Sequence, residues 1–348
     1  MTLTHCIYLL RFFNSKTVIS KKNQFLLFAI AYFLLIQISQ LVAQPKRLVA
    51  IGSSTTAGTG ASVMDSSWVS LLERYYKCQL RLIDTAYNLG LGGADPYNAM
   101  PTSYVPPVGR ATPDSNVNVS KACFLLEDLA NSANGSVIVN FPSNQYIEYS
   151  IAEILNCLQT IYDSLIFQGY TCFITTTQPR TDDAFNTPLV KKKLTDIKDS
   201  IIKRFGLAKT LNFWDGMVNP ADSSILAKYS SGDLIHFNNA GHRALFEKVV
   251  AKNIFKLPVW YSKATGTLEK LSTWGSNPDG SGSNPTSFIA DNQLFYIVNN
   301  SMPTIAANWT LSGINTRLNV GNGIQPLKLM IPKNLKLIIN NPVINNCY

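Results

Sequence analysis

Residues 46–58 read KRLVAIGSSTTAG: an aliphatic run from Leu48 to Ile51, a glycine at position 52, and then a Ser/Thr-rich loop. A continuous apolar run bounded by a turn signal marks a strand buried on both faces, as strands of a parallel sheet are. The same unit recurs downstream. Further strands are predicted at Leu80 to Asn88, Ser136 to Phe141, Tyr170 to Thr175 and Thr210 to Phe213, besides Arg47 to Ile51 itself. Between them, Trp68 to Tyr76, Lys121 to Ala130, Ile151 to Phe167, Pro188 to Phe205 and Ala240 to Ile254 carry amphipathic helical spacing. Alternation of this kind defines an α/β domain from Lys46 to about Leu257, a parallel sheet covered by helices.

The flanks of this domain differ from it. With 348 residues the chain exceeds the common size of one domain. Residues 1–43 carry Arg11, Lys16, Lys21 and Lys22 and no acid, then run apolar from Phe25 to Ile36 and fade through Gln37, Ser39 and Gln40. That order reads as an export signal, cleaved after Ala43 to leave Gln44 first, and places the protein outside the cell or at its surface. The alternative is an uncleaved anchor, because the apolar stretch approaches the ~18 residues at which a spanning helix is considered.

Removing those four cations lowers the formal net charge from +9 to +5. The densest basic run, Lys191 to Lys193 with Lys198, Lys203 and Arg204, is interleaved with Asp196 and Asp199 at helical spacing. It reads as a solvated helix face, so no nucleic-acid partner is expected, and membrane contact is expected only through the N-terminal segment. Of six cysteines, Cys78, Cys123, Cys157 and Cys172 are widely spaced in or beside apolar segments. No CxxC or Cys/His cluster suggests a metal site, and both disulfides and buried free thiols fit the spacing.

Two stretches break the α/β alternation. From Pro96 to Asn118 the chain is polar and turn-rich, with Pro101, Pro106, Pro107, Gly109 and Pro113, and is predicted to be a long loop. Loops on rigid α/β scaffolds often shape binding sites, which makes Tyr97, Tyr104 and Arg110 candidate substrate contacts; a purely structural loop is the alternative. From residue 258 to 348 the composition turns to Asn, Gly, Ser, Thr and Pro, with short alternating runs at Leu294 to Val298 and Leu327 to Ile331. A separate β-rich module is expected there, and turn chemistry accounts for Asp279 better than calcium does. The module stops at Asn346-Cys347-Tyr348 without a terminal element, as a truncated frame or an incomplete repeat would.

Chemistry concentrates in two segments. Ser54 follows the first strand at the sheet edge where open α/β folds place their sites. A phosphate loop is disfavoured there because the GxxxxGK[ST] spacing is missing. A serine nucleophile needs a base, and histidine suits neutral pH. The chain has three: His5 in the export segment, His242 inside the last predicted helix, and His236 on the loop before it. Asp233, three residues before His236, can fold back to orient the imidazole, and Asn238 is placed to cap the helix.

Taken together, Gly52-Ser53-Ser54-Thr55-Thr56 resembles the GDS(L) block of the SGNH, or GDSL-like, hydrolases, and Asp233-x-x-His236 resembles their closing block. Asn88-Leu89-Gly90-Leu91-Gly92-Gly93 is similar to the family's glycine block and Phe141-Pro142-Ser143-Asn144-Gln145 to its GxND block. The four blocks stand in family order over Lys46 to Leu257. The resemblance implies a three-layer α/β/α, flavodoxin-like fold and a carboxylic ester hydrolase, with Ser54, Asp233 and His236 as its triad. It further implies an oxyanion hole of the Ser54 N–H, the Gly93 N–H and the Asn144 side chain, with no cofactor and no metal. The substrate would be a small-molecule or polysaccharide ester, deacetylation being one form of the activity. A lipase or lysophospholipase is the alternative within the class. A carbohydrate-binding or adhesion protein that has lost activity is the alternative outside it. Ser53, Pro142 and Gln145 depart from the family's aspartate, glycine and aspartate.

Overall fold

A computed structural model describes residues 46–127, 134–314, 316–321 and 327–339; the expected export segment and the last nine residues lie outside it. Five parallel strands form the central sheet: β1 (Lys46–Gly52), β2 (Ile83–Gly90), β3 (Gly135–Asn140), β4 (Thr171–Thr175) and β5 (Thr210–Leu211). Their spatial order is β2-β1-β3-β4-β5, the flavodoxin-like doubly wound arrangement, in which sites form beyond the carboxyl ends of the strands.

Strand alternation divides the sheet residues between two cores. On one face Val49, Ile51, Val137, Val139 and Ile174 pack against helices α3 (Val119–Leu126), α4 (Ile151–Phe167) and α5 (Pro188–Phe205). On the other, Leu48, Ala50, Ile138 and Phe173 meet α2 (Trp68–Glu73) and α6 (Asn239–Lys252). The result is three layers, α/β/α. One further helical turn, α1 (Ser54–Ala57), sits at the end of β1.

Capping fixes the helix limits. Ser150 and Glu153 form a reciprocal capping box at the start of α4, and Thr187 caps α5 with Pro188 at its first turn. Asn238 accepts the Gly241 N–H at the start of α6. The second strand begins at Ile83 rather than Leu80, because the chain after α2 widens into a π-turn over Arg74–Gln79 and Arg81 adopts φ 52°.

Beyond Leu257 the described residues hold short strands around a core of their own: β6 (Val259–Ser262), β7 (Trp274–Gly275), β8 (Leu294–Ile297), β9 (Trp309–Leu311), β10 (Arg317–Val320) and β11 (Leu337–Ile339). Apart from β7, their pairings are parallel: β6 with β8, β8 with β10, and β9 with β11. Leu294 lies beside Arg317, Thr304 beside Met330 and Trp309 beside Leu337, so successive stretches of chain wind over one another as in a solenoid. Trp274, Phe295 and Trp309 fill the interior, while Leu294 of β8 reaches the core shared with α6. Asp279 accepts the Ser281 N–H in a tight turn.

Candidate active site

Gly52 lets β1 turn directly into α1: a Cβ there would lie 2.2 Å from the Thr56 Oγ1 and 2.4 Å from the Asn140 carbonyl. The turn is then tied down from every side. The Ser53 N–H donates to the Asn140 carbonyl at 3.1 Å, the Trp68 indole to the Thr55 carbonyl at 3.0 Å, and the Asn88 amide to the Thr56 carbonyl at 2.8 Å. Ser54, first in α1, is thereby presented at the carboxyl edge of the sheet on a turn with little freedom.

The histidine arrives on the loop between Ser230 and Asn238. This loop closes on itself through the Ser231 N–H to the His236 carbonyl at 3.0 Å, and Leu234 takes φ 65° at its tip. Asp233 acts as its hub, accepting the Ser231 hydroxyl at 2.8 Å and the backbone N–H groups of Ile235 and His236 at 2.9 and 2.7 Å. Its other oxygen stands 2.5 Å from His236 Nδ1, and His236 Nε2 stands 2.9 Å from the Ser54 Oγ. Burial alone would raise the Asp233 pKa, but these donors overcome it and hold the carboxyl well below the ordinary range. An ionised Asp233 requires hydrogen on Nδ1 and leaves the Nε2 lone pair facing serine.

His242 lies six residues further on, inside α6 and fully buried. Its Nε2 donates to the Thr59 carbonyl at 3.1 Å and its Nδ1 accepts the Trp68 N–H at 3.4 Å. Burial lowers its pKa, only partly offset by the bond to Thr59.

The oxyanion candidates gather at the ends of β2 and β3. Gly93 has φ 81°, and nothing lies within 4 Å of where its Cβ would be, so backbone conformation rather than space calls for glycine. Among the described residues neither the Ser54 nor the Gly93 N–H finds a partner. Asn144 donates one amide hydrogen to the Ala94 carbonyl at 2.9 Å, which fastens it to the glycine turn and leaves its second hydrogen uncommitted. At the three departures from the SGNH-like pattern, the Ser53 hydroxyl is buried without a partner among the described residues, Pro142 is buried, and Gln145 is exposed at φ 61°.

Tyr97, Tyr104 and Arg110 gather at the start of α4. The Tyr97 hydroxyl donates to Glu153 at 2.9 Å, Arg110 pairs with both Glu153 oxygens at 2.5 and 3.1 Å and lies over the Tyr149 ring, and Tyr104 packs beside Tyr97. The long loop spends these side chains on fastening itself to the start of α4. Cys123, Cys157 and Cys172 are free thiols, and burial pushes Cys157 up to about 12. Among the described residues no group of three or more His, Cys, Asp or Glu is placed to hold a metal ion, and no helix is long and apolar enough to cross a membrane.

The stretch after β4 carries two further residues of the site that no sequence motif marks. Gln178, 1% exposed, donates to the Thr55 hydroxyl at 2.9 Å and reaches the Ile235 carbonyl at 3.4 Å, joining the Ser54 turn to the histidine loop. Arg180 pairs with Asp182 and extends to Ser143 and Asn144. Their signal was positional: polar side chains just past the end of a parallel strand.

No family model and no curated protein matches the chain. Among solved structures it is similar to a GDSL-like lipase from Bacteroides thetaiotaomicron, with 15% identity over 65% of this chain and 97% of that one and a TM-score of 0.43. It is also similar to a lipase/acylhydrolase from Enterococcus faecalis, at 16% identity over 60% and 95% of the two chains with a TM-score of 0.42. A two-domain esterase active on acetylated mannans is a third, at 12% identity over 63% and 52% with a TM-score of 0.39.

Proposed function

We propose that the protein is a serine hydrolase of carboxylic esters that works through an acyl-enzyme. The observation that carries this is the continuous relay from Asp233 through His236 to Ser54, with contacts of 2.5 and 2.9 Å, at the carboxyl edge of the sheet. His236 Nε2 takes the Ser54 proton as Oγ adds to the ester carbonyl, and Asp233 stabilises the imidazolium. The negative oxygen is met by the Ser54 and Gly93 N–H groups and the free amide hydrogen of Asn144. His236 then protonates the departing alcohol. In the second half, water gives its proton to the same nitrogen and attacks the acyl carbon, releasing the acid and restoring Ser54.

The export pattern of residues 1–43 and the β-rich segment after Leu257 support an extracellular ester, and acetylated polysaccharide is the proposed substrate. The test is hydrolysis of p-nitrophenyl esters from acetyl to long acyl chains by the wild type, Ser54→Ala and His236→Ala, with acetylated glycans alongside. Loss of turnover in both variants and a preference for acetyl are expected. A preference for long chains would turn the assignment to a lipase, and equal turnover by wild type and Ser54→Ala would end the catalytic one.

A further inference from the structure

Asn144 is held at both ends of its amide. Its nitrogen donates to the Ala94 carbonyl at 2.9 Å, and its oxygen lies 3.4 Å from the Arg180 Nη1, which also stands 3.3 Å from the Ser143 hydroxyl. Rotating the amide by half a turn would set oxygen against the Ala94 carbonyl and an NH2 group against a guanidinium. Both contacts would be repulsive, so one orientation is enforced. The guanidinium is itself held: Nε and Nη2 meet the two Asp182 oxygens at 2.5 and 2.9 Å, and the Phe185 ring lies 4.0 Å from its central carbon. Arg180 and Asp182 are largely shielded, with side chains 14% and 25% exposed. With one edge of the fork on Asp182 and one face against Phe185, the plane of the guanidinium is fixed, and Nη1 is directed at Ser143 and Asn144.

On the reading of Asn144 as an oxyanion donor, we propose that Arg180 is the positioning residue of the oxyanion hole. It fixes the Asn144 amide so that the uncommitted hydrogen faces the reacting carbonyl. Its charge also draws density toward the amide oxygen, making the opposite N–H a stronger donor as negative charge develops. The residue after Asn144 does not do this, because the Gln145 side chain is exposed. The brace comes from the loop after β4 instead.

The experiment is a double-mutant cycle in the full chain with Arg180→Met and Asn144→Ala, read by p-nitrophenyl acetate hydrolysis and by the rate at which diethyl p-nitrophenyl phosphate labels Ser54, followed by intact mass. Ser54→Ala is the control. Asn144→Ala should lower kcat by roughly 10²-fold or more. Arg180→Met should lower kcat about tenfold with KM within about threefold, slow labelling by a similar factor, and add less than about twofold when Asn144 is already alanine. Arg180→Lys, which keeps the charge but not the fork, should fall between wild type and Arg180→Met and serves if the methionine variant does not fold. An unchanged kcat in Arg180→Met, or an equal loss in both backgrounds, would overturn the proposal while leaving the esterase assignment standing. Absence of both turnover and labelling in the wild type would remove the assignment, and this proposal with it.

Discussion

His236 and His242 are separated by six residues and one change of structure, from loop to helix. Both rings are bonded at both nitrogens. His242 is bonded to two backbone groups, the Thr59 carbonyl and the Trp68 N–H, neither of which can change protonation state. His236 stands between a carboxylate and a hydroxyl, the Asp233 and Ser54 side chains. Two imidazoles with saturated hydrogen bonding thus differ in their partners, one set unable to exchange a proton with the ring and the other able to. A histidine's role follows from whether its partners can exchange charge, not from how well it is bonded.

The largest expected effect sharpens this contrast. His236→Ala should lower kcat for p-nitrophenyl acetate by about 10⁴ to 10⁶, as Ser54→Ala should, with thermal unfolding little changed. Next, Asp233→Asn should cost about 10² to 10⁴ in kcat, since an amide can present its NH2 to Nδ1 and favour the wrong tautomer. His242→Ala should do the reverse of His236→Ala: stability falls by about 2 to 4 kcal/mol in urea titration, because a cavity opens and two backbone groups lose their partner. Its kcat should stay within about tenfold. If His242→Ala proved as inactive as His236→Ala while still folded, the division between the two rings would be broken.

The smallest effect is a slope. The unfolded-state pKa of histidine is about 6.5 and burial depresses that of His242 in the folded protein, so the unfolded chain binds the extra proton first. Its neutral burial therefore costs nothing above about pH 6.5 and loses stability progressively as pH falls below that value. Chemical denaturation at pH 7 and pH 5 should show a larger loss of stability in the wild type than in His242→Gln.

Much of this was legible along the chain. The limits of α4 and α5, Ile151–Phe167 and Pro188–Phe205, coincide with those read from the sequence because strong punctuation, Ser150 with Glu153 and Thr187-Pro188, stands beside a clear period. Ser54, Asp233 and His236 could be singled out as candidates because each lies at a strand end or in one short loop, and the structure brings the three within hydrogen-bond reach. The bonds of Tyr97 and Arg110 to Glu153 could not be read there, since Glu153 stands 56 and 43 residues away and composition does not disclose such a partner. Arg180 was hidden for a similar reason: its contact with Asn144 spans 36 residues and depends on β3 and β4 being neighbours. In the C-terminal segment the strands are two to four residues long, too short for a pattern to reveal that they pair in parallel.

The central claim is that Ser54 carries the acyl group. Rapid quenching of the protein with p-nitrophenyl acetate, followed by peptide mass analysis, tests it directly. The account predicts a burst of p-nitrophenol and an acetyl group on the peptide bearing Ser54, absent in Ser54→Ala. Steady hydrolysis with no acetylated Ser54, or with the acetyl group on another residue, would contradict it.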